Sequence, residues 1–191
     1  MEWSIPLQKL EVGKVQIGDI QHSDKSIAPL AYFDGQNIFS YLNIFLPKLK
    51  VEEFDVRSGK FLISLKENPQ YETKLNALQS TLLGAVYIQQ KTWFPDVFYN
   101  YDVLNVSFKP IVENGFLHLY YPVQLNSDIH IYKNGKWYTK YEPGLINPKD
   151  NVRIMFRIQG ISFHKNTFNV HSTWSGKFRL QHRIYAVLVE T

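Results

Sequence analysis

The sequence of 191 residues contains no cysteine, which excludes a disulfide-stapled fold, a cysteine-ligated zinc site and a cysteine nucleophile. It has no apolar run near the roughly 20 residues that span a bilayer, and its first residues lack the basic and apolar regions of a signal peptide. We therefore expect an intracellular protein without a membrane partner. With 45% hydrophobic and 20% charged residues, residues 1–191 are predicted to form a single globular domain.

The motifs of common enzyme families are also missing. The sequence has no H-E-x-x-H, P-loop, G-x-S-x-G or G-x-G-x-x-G pattern. Its densest acidic group, Glu52, Glu53 and Asp55, is predicted to be a solvated strand face rather than a magnesium site. The six histidines include a C-terminal group in an acid-poor region, where a metal ion would lack carboxylate ligands. We therefore expect no enzymatic activity, no cofactor and no metal ion.

The hydrophobic pattern is mostly that of β-strands. Alternating residues predict a strand over 15–20, and a hairpin is predicted between 48–56 and 60–65. Asn134-Gly135 predicts a tight hairpin turn, and Gly160 predicts a β-bulge. Further strands are predicted over 103–108, 116–123, 128–132, 136–141, 152–164, 168–174 and 177–189.

One segment, residues 69–90, has the pattern of a helix. Asn68 is a candidate N-cap, Pro69 suits the first turn, and Trp93-Phe94-Pro95 is expected to end the helix. An apolar stripe runs along it through Tyr71, Leu75, Leu78, Leu82 and Val86. We predict a mostly β domain with one central helix, an elaborated OB-type barrel, with a β-sandwich as the alternative.

The charge of the chain is unevenly distributed. Residues 1–95 are neutral, whereas residues 127–185 carry a net charge of +7, which favours an anionic polymer as partner. In each of the two long C-terminal strands, apolar residues alternate with polar ones, so that one face of the strand carries Arg, Lys and Gln. This polar face has no acidic residue up to Tyr185. Such residues also occur on ordinary solvated strands. The predicted phosphate contacts are Arg153, Arg157, Lys177, Arg179 and Arg183, with Lys133, Lys136 and Lys140 on the hairpin.

Aromatic residues are concentrated near this basic region. Thirteen of the 29 Phe, Trp and Tyr residues fall in 93–141, and several adjoin lysines, where a ring can stack on a nucleic-acid base. Most of the others are expected in the core, and so is His182, which lies in an apolar register. One of the neighbours Tyr120 and Tyr121 should face outward. The predicted stacking residues are Tyr132, Trp137, Tyr138, His171 and Trp174.

Two C-terminal segments carry a resemblance. Gly160-Ile161-Ser162-Phe163-His164 and His171-Ser172-Thr173-Trp174-Ser175-Gly176-Lys177-Phe178-Arg179-Leu180-Gln181-His182-Arg183-Ile184 resemble the closing segment of single-stranded-DNA-binding proteins of large nucleocytoplasmic DNA viruses. The resemblance implies an OB-type fold and a role in viral DNA replication, recombination or repair, in the host cytoplasm or nucleus. It singles out Trp174, Lys177, Arg179 and Arg183. Many replication proteins of this kind end in an acidic tail, and residues 187–191 do not match one.

Three functional hypotheses follow. The first is sequence-independent binding of single-stranded DNA, with RNA binding and self-association along the strand left open. The second is a β-rich module that binds carbohydrate or protein, because exposed Tyr and Trp suit sugars and interfaces. The third is a viral structural protein. Salt separates the first two, because phosphate binding weakens steeply with salt and sugar stacking does not.

Overall fold

The computed structural model describes residues 3–23, 25–122, 129–165 and 174–190. The predicted β-rich character is confirmed. The strands are β1 Ile5–Pro6, β2 Val15–Ile17, β3 Gln21–His22, β4 Ser26–Phe33, β5 Ile38–Phe39, β6 Leu42–Phe45, β7 Leu49–Asp55, β8 Lys60–Ser64, β9 Phe108–Lys109, β10 Val112–Glu113, β11 Phe116–Tyr120, β12 His130–Lys133, β13 Lys136–Tyr138, β14 Asn151–Phe163 and β15 Phe178–Glu190.

Two helices accompany the strands: α1 Pro69–Trp93 and α2 Tyr101–Ser107. Short 3-10 turns lie at Leu7–Lys9 and Val12–Lys14. Within the described ranges, neither helix has the length and apolar character needed to cross a membrane.

The long strands β14 and β15 pair antiparallel from Asn151 opposite Glu190 to Phe163 opposite Phe178. The other edge of β14 is covered in turn by β7, β6 and β4, while β9 and β12 pair with the other edge of β15. The apolar register of β14 is buried as predicted, because Val152, Ile154, Phe156 and Ile158 point into the core. The two long strands therefore hold most of the sheet together.

The sheet comes close to closing on itself. Strands follow one another in the order β11-β8-β7-β14-β15, and β11 returns alongside β15, where the Tyr120 N–H donates to His182 Nε2 at 3.1 Å. Among the described residues no backbone ladder joins β11 to β15, so the sheet is open at this point. The OB-type barrel stays a prediction, because the described strands do not close the sheet by backbone pairing. The alternative of a β-sandwich also stays a prediction.

The helix α1 matches its predicted span and stripe. Leu75, Leu78, Leu82 and Val86 are buried, and Asn68 is at the N-cap position, although its side chain makes no capping hydrogen bond. The buried Gln79 accepts hydrogen bonds at Oε1 from the backbone N–H of Ile111 (2.7 Å) and Val112 (3.2 Å). These bonds fix the chain that follows β9 against the helix.

The strand predicted over 103–108 is wrong, because most of this segment is helix α2. The Asn100 side chain caps α2 by accepting from the Val103 N–H at 2.9 Å, and Asp102 lies in the first turn, where the helix dipole favours a carboxylate. Only Leu104 is buried in α2. A helix this short buries too little for a 3.6-residue period to be visible, and Val103, Val106 and Phe108 give the impression of a strand.

The hairpins agree well with the sequence. The strands β7 and β8 pair as predicted. The strands β12 and β13 also pair, and Asn134 and Gly135 between them both have positive φ. The register of β14 against β15 shifts between Ile158 and Gly160, as the predicted bulge requires. The strand predicted over 168–174 lies outside the described residues except for Trp174, which is not in a strand.

Gly160 provides a test of how tightly β4 packs on β14. A Cβ at this position would collide with the Ala28 carbonyl of β4, whereas a Cβ on Gly84 in α1 would have nothing within 4 Å. We expect Gly160→Ala to lower the free energy of unfolding by about 2 kcal/mol or more. Gly84→Ala should instead raise it by roughly 0.5–1 kcal/mol.

Urea denaturation of the two variants beside the unaltered protein measures both changes. Equal effects of the two substitutions would contradict the close approach of β4 at Gly160.

Candidate functional site

An open cleft of about 670 Å³ lies where β11 and β15 fail to pair. Three cations line it: Lys60 at the start of β8, Lys109 at the end of β9 and Arg179 near the start of β15. None of the described residues that line the cleft is acidic. The described lining of the cleft therefore supplies cations and no carboxylate to neutralise them.

Lys109 and Arg179 are neighbours because β9 and β15 run parallel. Phe108 pairs with Phe178 and Lys109 with Arg179, and the two phenylalanine rings stack with centroids 5.0 Å apart. Like charges side by side in a sheet are destabilising, yet neither cation forms an ion pair with a described acidic residue. Lys60 differs, because it pairs with Glu53 at 2.7 Å.

Lys177 extends the positive charge beyond the cleft, and His164 lies next to it. The His164 N–H donates to the Lys177 carbonyl at 2.9 Å, which holds the two residues together. Desolvation lowers the pKa of His164, and the charges of Arg179, Lys177 and Lys109 lower it further. Because its lowered pKa leaves the His164 ring mostly neutral near pH 7, we call only Lys109, Lys177 and Arg179 the cationic cluster.

Tyr120, the last residue of β11, supplies an aromatic ring to the cleft. It is 49% exposed, whereas Tyr121 is buried, as the sequence predicted for one member of this pair. Gly59 in the β7–β8 turn lies against this ring, and a Cβ there would be 2.6 Å from Tyr120 Cε2. The turn thus packs against the ring, and about half of the side chain stays exposed.

His182 of β15 links this strand to β11 at the cleft. Its Nε2 accepts from the Tyr120 N–H at 3.1 Å, and its Nδ1 lies 3.3 Å from the Leu180 carbonyl. The neutral ring with its proton on Nδ1 satisfies both contacts, which agrees with the predicted hydrogen-bonded core histidine. Desolvation lowers the pKa of His182, Arg179 and Lys109 lower it further, and the hydrogen bond to Leu180 acts in the opposite direction.

Gln181 provides an unused acceptor beside these cations. Its Nε2 donates to Gln159 Oε1 at 2.9 Å, but its own Oε1 is buried and has no hydrogen-bond partner within the described part of the chain. Buried acceptors are normally satisfied. Gln181 also lines the cleft, although this oxygen is itself buried.

The structure separates the arginines predicted on β14 and β15. Lys177 and Arg179 belong to the cationic cluster, whereas Arg153 lies toward the other end of β14 and donates from Nε to Glu190 at 2.7 Å. Arg157 and Arg183 are ladder partners in the middle of the two strands.

Arg157 is held on both sides. Its guanidinium lies 4.2 Å from the Tyr41 ring and 4.6 Å from the Tyr185 ring, and its Nε donates to Asn43 at 2.8 Å. Arg183 lies 5.8 Å from the same Tyr185 ring. These contacts orient both arginines on the outer face of the sheet, away from the cationic cluster by several residues of strand.

The predicted hairpin residues form a second group on the same edge of β15. Trp137 is 55% exposed and packs 5.1 Å from the Tyr132 ring, while Lys136 lies over Tyr138 at 4.9 Å. Lys140 is exposed. Lys133 serves the fold instead, because its Nζ donates to the carbonyls of Gly144 and Leu145 and lies 3.6 Å from Asp150.

The prediction that Trp174 stacks on a base is wrong. Its ring is fully buried, 4.7 Å from the Phe94 ring, and its Nε1 donates to the Lys177 carbonyl at 3.0 Å. A buried ring offers no face to a base, so Trp174 is a core residue that positions Lys177. His171, the other predicted stacking residue of this region, lies outside the described residues.

Sequence reasoning missed Lys60, Lys109 and His164 as members of the site. Lys109 carried no local signal, because its place beside Arg179 depends on pairing between strands 70 residues apart. Tyr120 did carry one, since adjacent tyrosines in a strand must point to opposite faces.

Neither a metal-binding group among the described residues nor a known relative points to a function. Within the described ranges, no three His, Asp or Glu side chains form a group that could hold a metal ion. Comparisons of the chain with protein-family models, curated proteins and solved structures find no match. The function is therefore inferred from the geometry of the cleft.

The contact between His182 and Tyr120 predicts a pH dependence of stability. Because the folded protein holds the His182 pKa below its ordinary value of 6.5, the unfolded chain binds more protons near and below that pH. The free energy of unfolding should therefore fall as the pH is lowered from 7.5 to 5.5. In His182→Gln this loss should be smaller, although His164 still contributes to it.

Urea denaturation at several pH values measures the effect. His130→Gln, at an exposed histidine of β12, is the control and should keep the pH dependence of the unaltered protein. If His182→Gln kept it too, the assignment of this contact would be wrong.

Proposed function

We propose that this protein binds single-stranded DNA without sequence preference, through the cleft between β11 and β15. The observation that carries the proposal is the adjacent pair Lys109 and Arg179, unneutralised by described acids, beside the exposed ring of Tyr120. The two cations can bind phosphates, and the exposed ring can stack on unpaired bases. No acidic residue among those described at the cleft repels the strand.

The positions of the two groups on β15 support a path for the strand. The cationic cluster lies where β9 pairs with β15 at residues 178–179, and the hairpin β12–β13 lies where β12 pairs with β15 at residues 186–188. About 30 Å of strand separates the two ends, at roughly 3.3 Å per residue. Trp137 and Lys136 then offer stacking and charge at the far end, with Tyr120 between the two groups.

The alternative of carbohydrate binding is carried by one feature, the exposed Trp137 on the hairpin. A sugar can stack on this ring, but it has no use for the unneutralised cations of the cluster. Charge-driven binding of phosphates therefore accounts for more of the site. Under the viral resemblance, this activity would protect exposed strands during DNA replication, recombination and repair.

The first test removes the two neighbouring cations. In Lys109→Ala/Arg179→Ala we expect roughly 10-fold weaker binding of oligo-dT or more, and a log–log salt slope that is shallower by about 1.4, or 0.7 per lost phosphate contact. Fluorescence anisotropy with a labelled 30-nucleotide strand at several salt concentrations measures both. Duplex DNA and single-stranded RNA of equal length show whether an unpaired strand and deoxyribose are preferred.

The matched control removes two positive charges elsewhere. Lys50 in β7 and Lys149 just before β14 are exposed. Lys50 pairs with Asn151, the first residue of β14, about 35 Å along that strand from the level of Arg179. Lys50→Ala/Lys149→Asn lowers the net charge equally, and Asn tolerates the positive φ of residue 149. Equal losses in both double variants would reject the cleft as the main phosphate site, and no binding by the unaltered protein at low salt would reject the proposal.

The second test concerns stacking. Tyr120→Ala should weaken binding by about 5- to 150-fold, because stacking contributes about 1–3 kcal/mol per base, while Tyr120→Phe should bind nearly as the unaltered protein does. Anisotropy at one fixed salt concentration compares them. The salt slope should stay unchanged in both variants, since no phosphate contact is lost. Unchanged affinity in Tyr120→Ala would exclude a base on this ring.

A further inference from the structure

A second surface, which includes acidic residues, lies where α1 leads into α2. Of the eleven large apolar side chains that are exposed within the described ranges, six fall in residues 87–106. Ile88 is 74% exposed and Phe98 is 52% exposed. Clustered exposure of this kind is unusual on a monomer and marks interaction sites.

The rings at this surface touch one another. The Tyr87 ring lies 6.0 Å from that of Phe98 and 5.7 Å from that of Tyr101, and Lys91 Nζ lies 4.9 Å above Phe98. Ile88 is next to Tyr87 and one helical turn from Lys91. We call Tyr87, Ile88, Lys91, Phe98 and Tyr101 the α1–α2 patch.

The patch is held rigid from below. Gln90 Oε1 accepts from the Tyr99 N–H at 2.9 Å, and Gln90 Nε2 donates to the Tyr99 carbonyl at 2.9 Å. This pair of bonds fixes the segment that carries Phe98, and the Asn100 cap fixes the start of α2. A preorganised surface loses little conformational entropy when it binds.

The charges around the patch limit the kinds of partner that suit it. Lys91, Asp96 and Asp102 are all exposed at or next to it, so the patch carries both signs. Two acids disfavour a nucleic acid, and a strongly charged protein of either sign would meet repulsion. A second copy turned by a two-fold axis meets the opposite arrangement, with its acids near Lys91, because such a contact must be self-complementary.

We propose that the α1–α2 patch is the contact of a two-fold homodimer of this chain, with Lys91 of each copy near Asp96 and Asp102 of the other. The exposed area of its four apolar side chains is on the order of 400 Å² per copy. An interface of this size is characteristic of weak, reversible complexes. The dimer does not depend on the proposed function, since it forms without nucleic acid.

Sedimentation velocity from about 5 to 500 μM, without nucleic acid, tests the dimer. The unaltered protein should shift toward a dimer as concentration rises, and Ile88→Glu should weaken association by about 10-fold or more. The matched control is Ile38→Glu, at an isoleucine of β5 that is 66% exposed, which should leave association unchanged. A protein that is monomeric throughout, or equal effects of both substitutions, would overturn the proposal.

A mixing experiment tests the two-fold arrangement itself. Lys91→Glu and Asp96→Lys/Asp102→Lys should each fail to self-associate, because like charges then face each other. An equimolar mixture should regain a dimer, since every contact in the mixed pair joins opposite charges. Adding Ile88→Glu to either chain should abolish that mixed dimer. Failure of the mixture to associate would reject a second copy as the partner.

Discussion

The pairing of β14 with β15 is the contact on which the other strands depend. Their thirteen-residue spans run opposite each other from Asn151 to Phe163, and β4, β6, β7, β9 and β12 all reach the sheet through one of them. Two register shifts lie within this ladder, and bulges increase local twist. Because short strands cover the outer edges of the pair in pieces, none of the described strands forms a ladder with this edge of β15 between β9 at residue 179 and β12 at residue 186. The cleft is the consequence of that gap.

Leaving the cleft cationic is energetically unfavourable. Lys109 and Arg179 repel each other across the parallel ladder, and their charges help to lower the pKa values of His164 and His182. Packing offsets this cost, because Phe108 stacks on Phe178 directly beside the two cations. Gln79 fixes the following chain through the Ile111 N–H. A fold selected for stability alone gains nothing from this repulsion, and binding an anion would relieve it.

Local patterns predicted most elements but not their assembly. The stripe of α1, the Asn134-Gly135 turn and the bulge at Gly160 each follow from chemistry within a few residues. The helix α2 did not, because it buries only Leu104 and depends on one capping bond from Asn100. Part of the cleft could be predicted. Arg179 and Lys177 stood out in the β15 pattern, whereas Lys109 joins them only through a long-range parallel pairing. Burial of Trp174 against Phe94 was hidden for the same reason.

The helix α1 connects the two surfaces. Gln79, in its middle, anchors the chain beside the cleft, and Gln90, three turns later, anchors the α1–α2 patch. Because both anchors belong to one rigid helix, two copies joined through their patches would hold their clefts at a fixed separation. A strand long enough to reach both clefts would then bind the second at a high effective concentration. Weak association through a small apolar contact would thus be enough to tighten binding to long strands while leaving short ones unaffected.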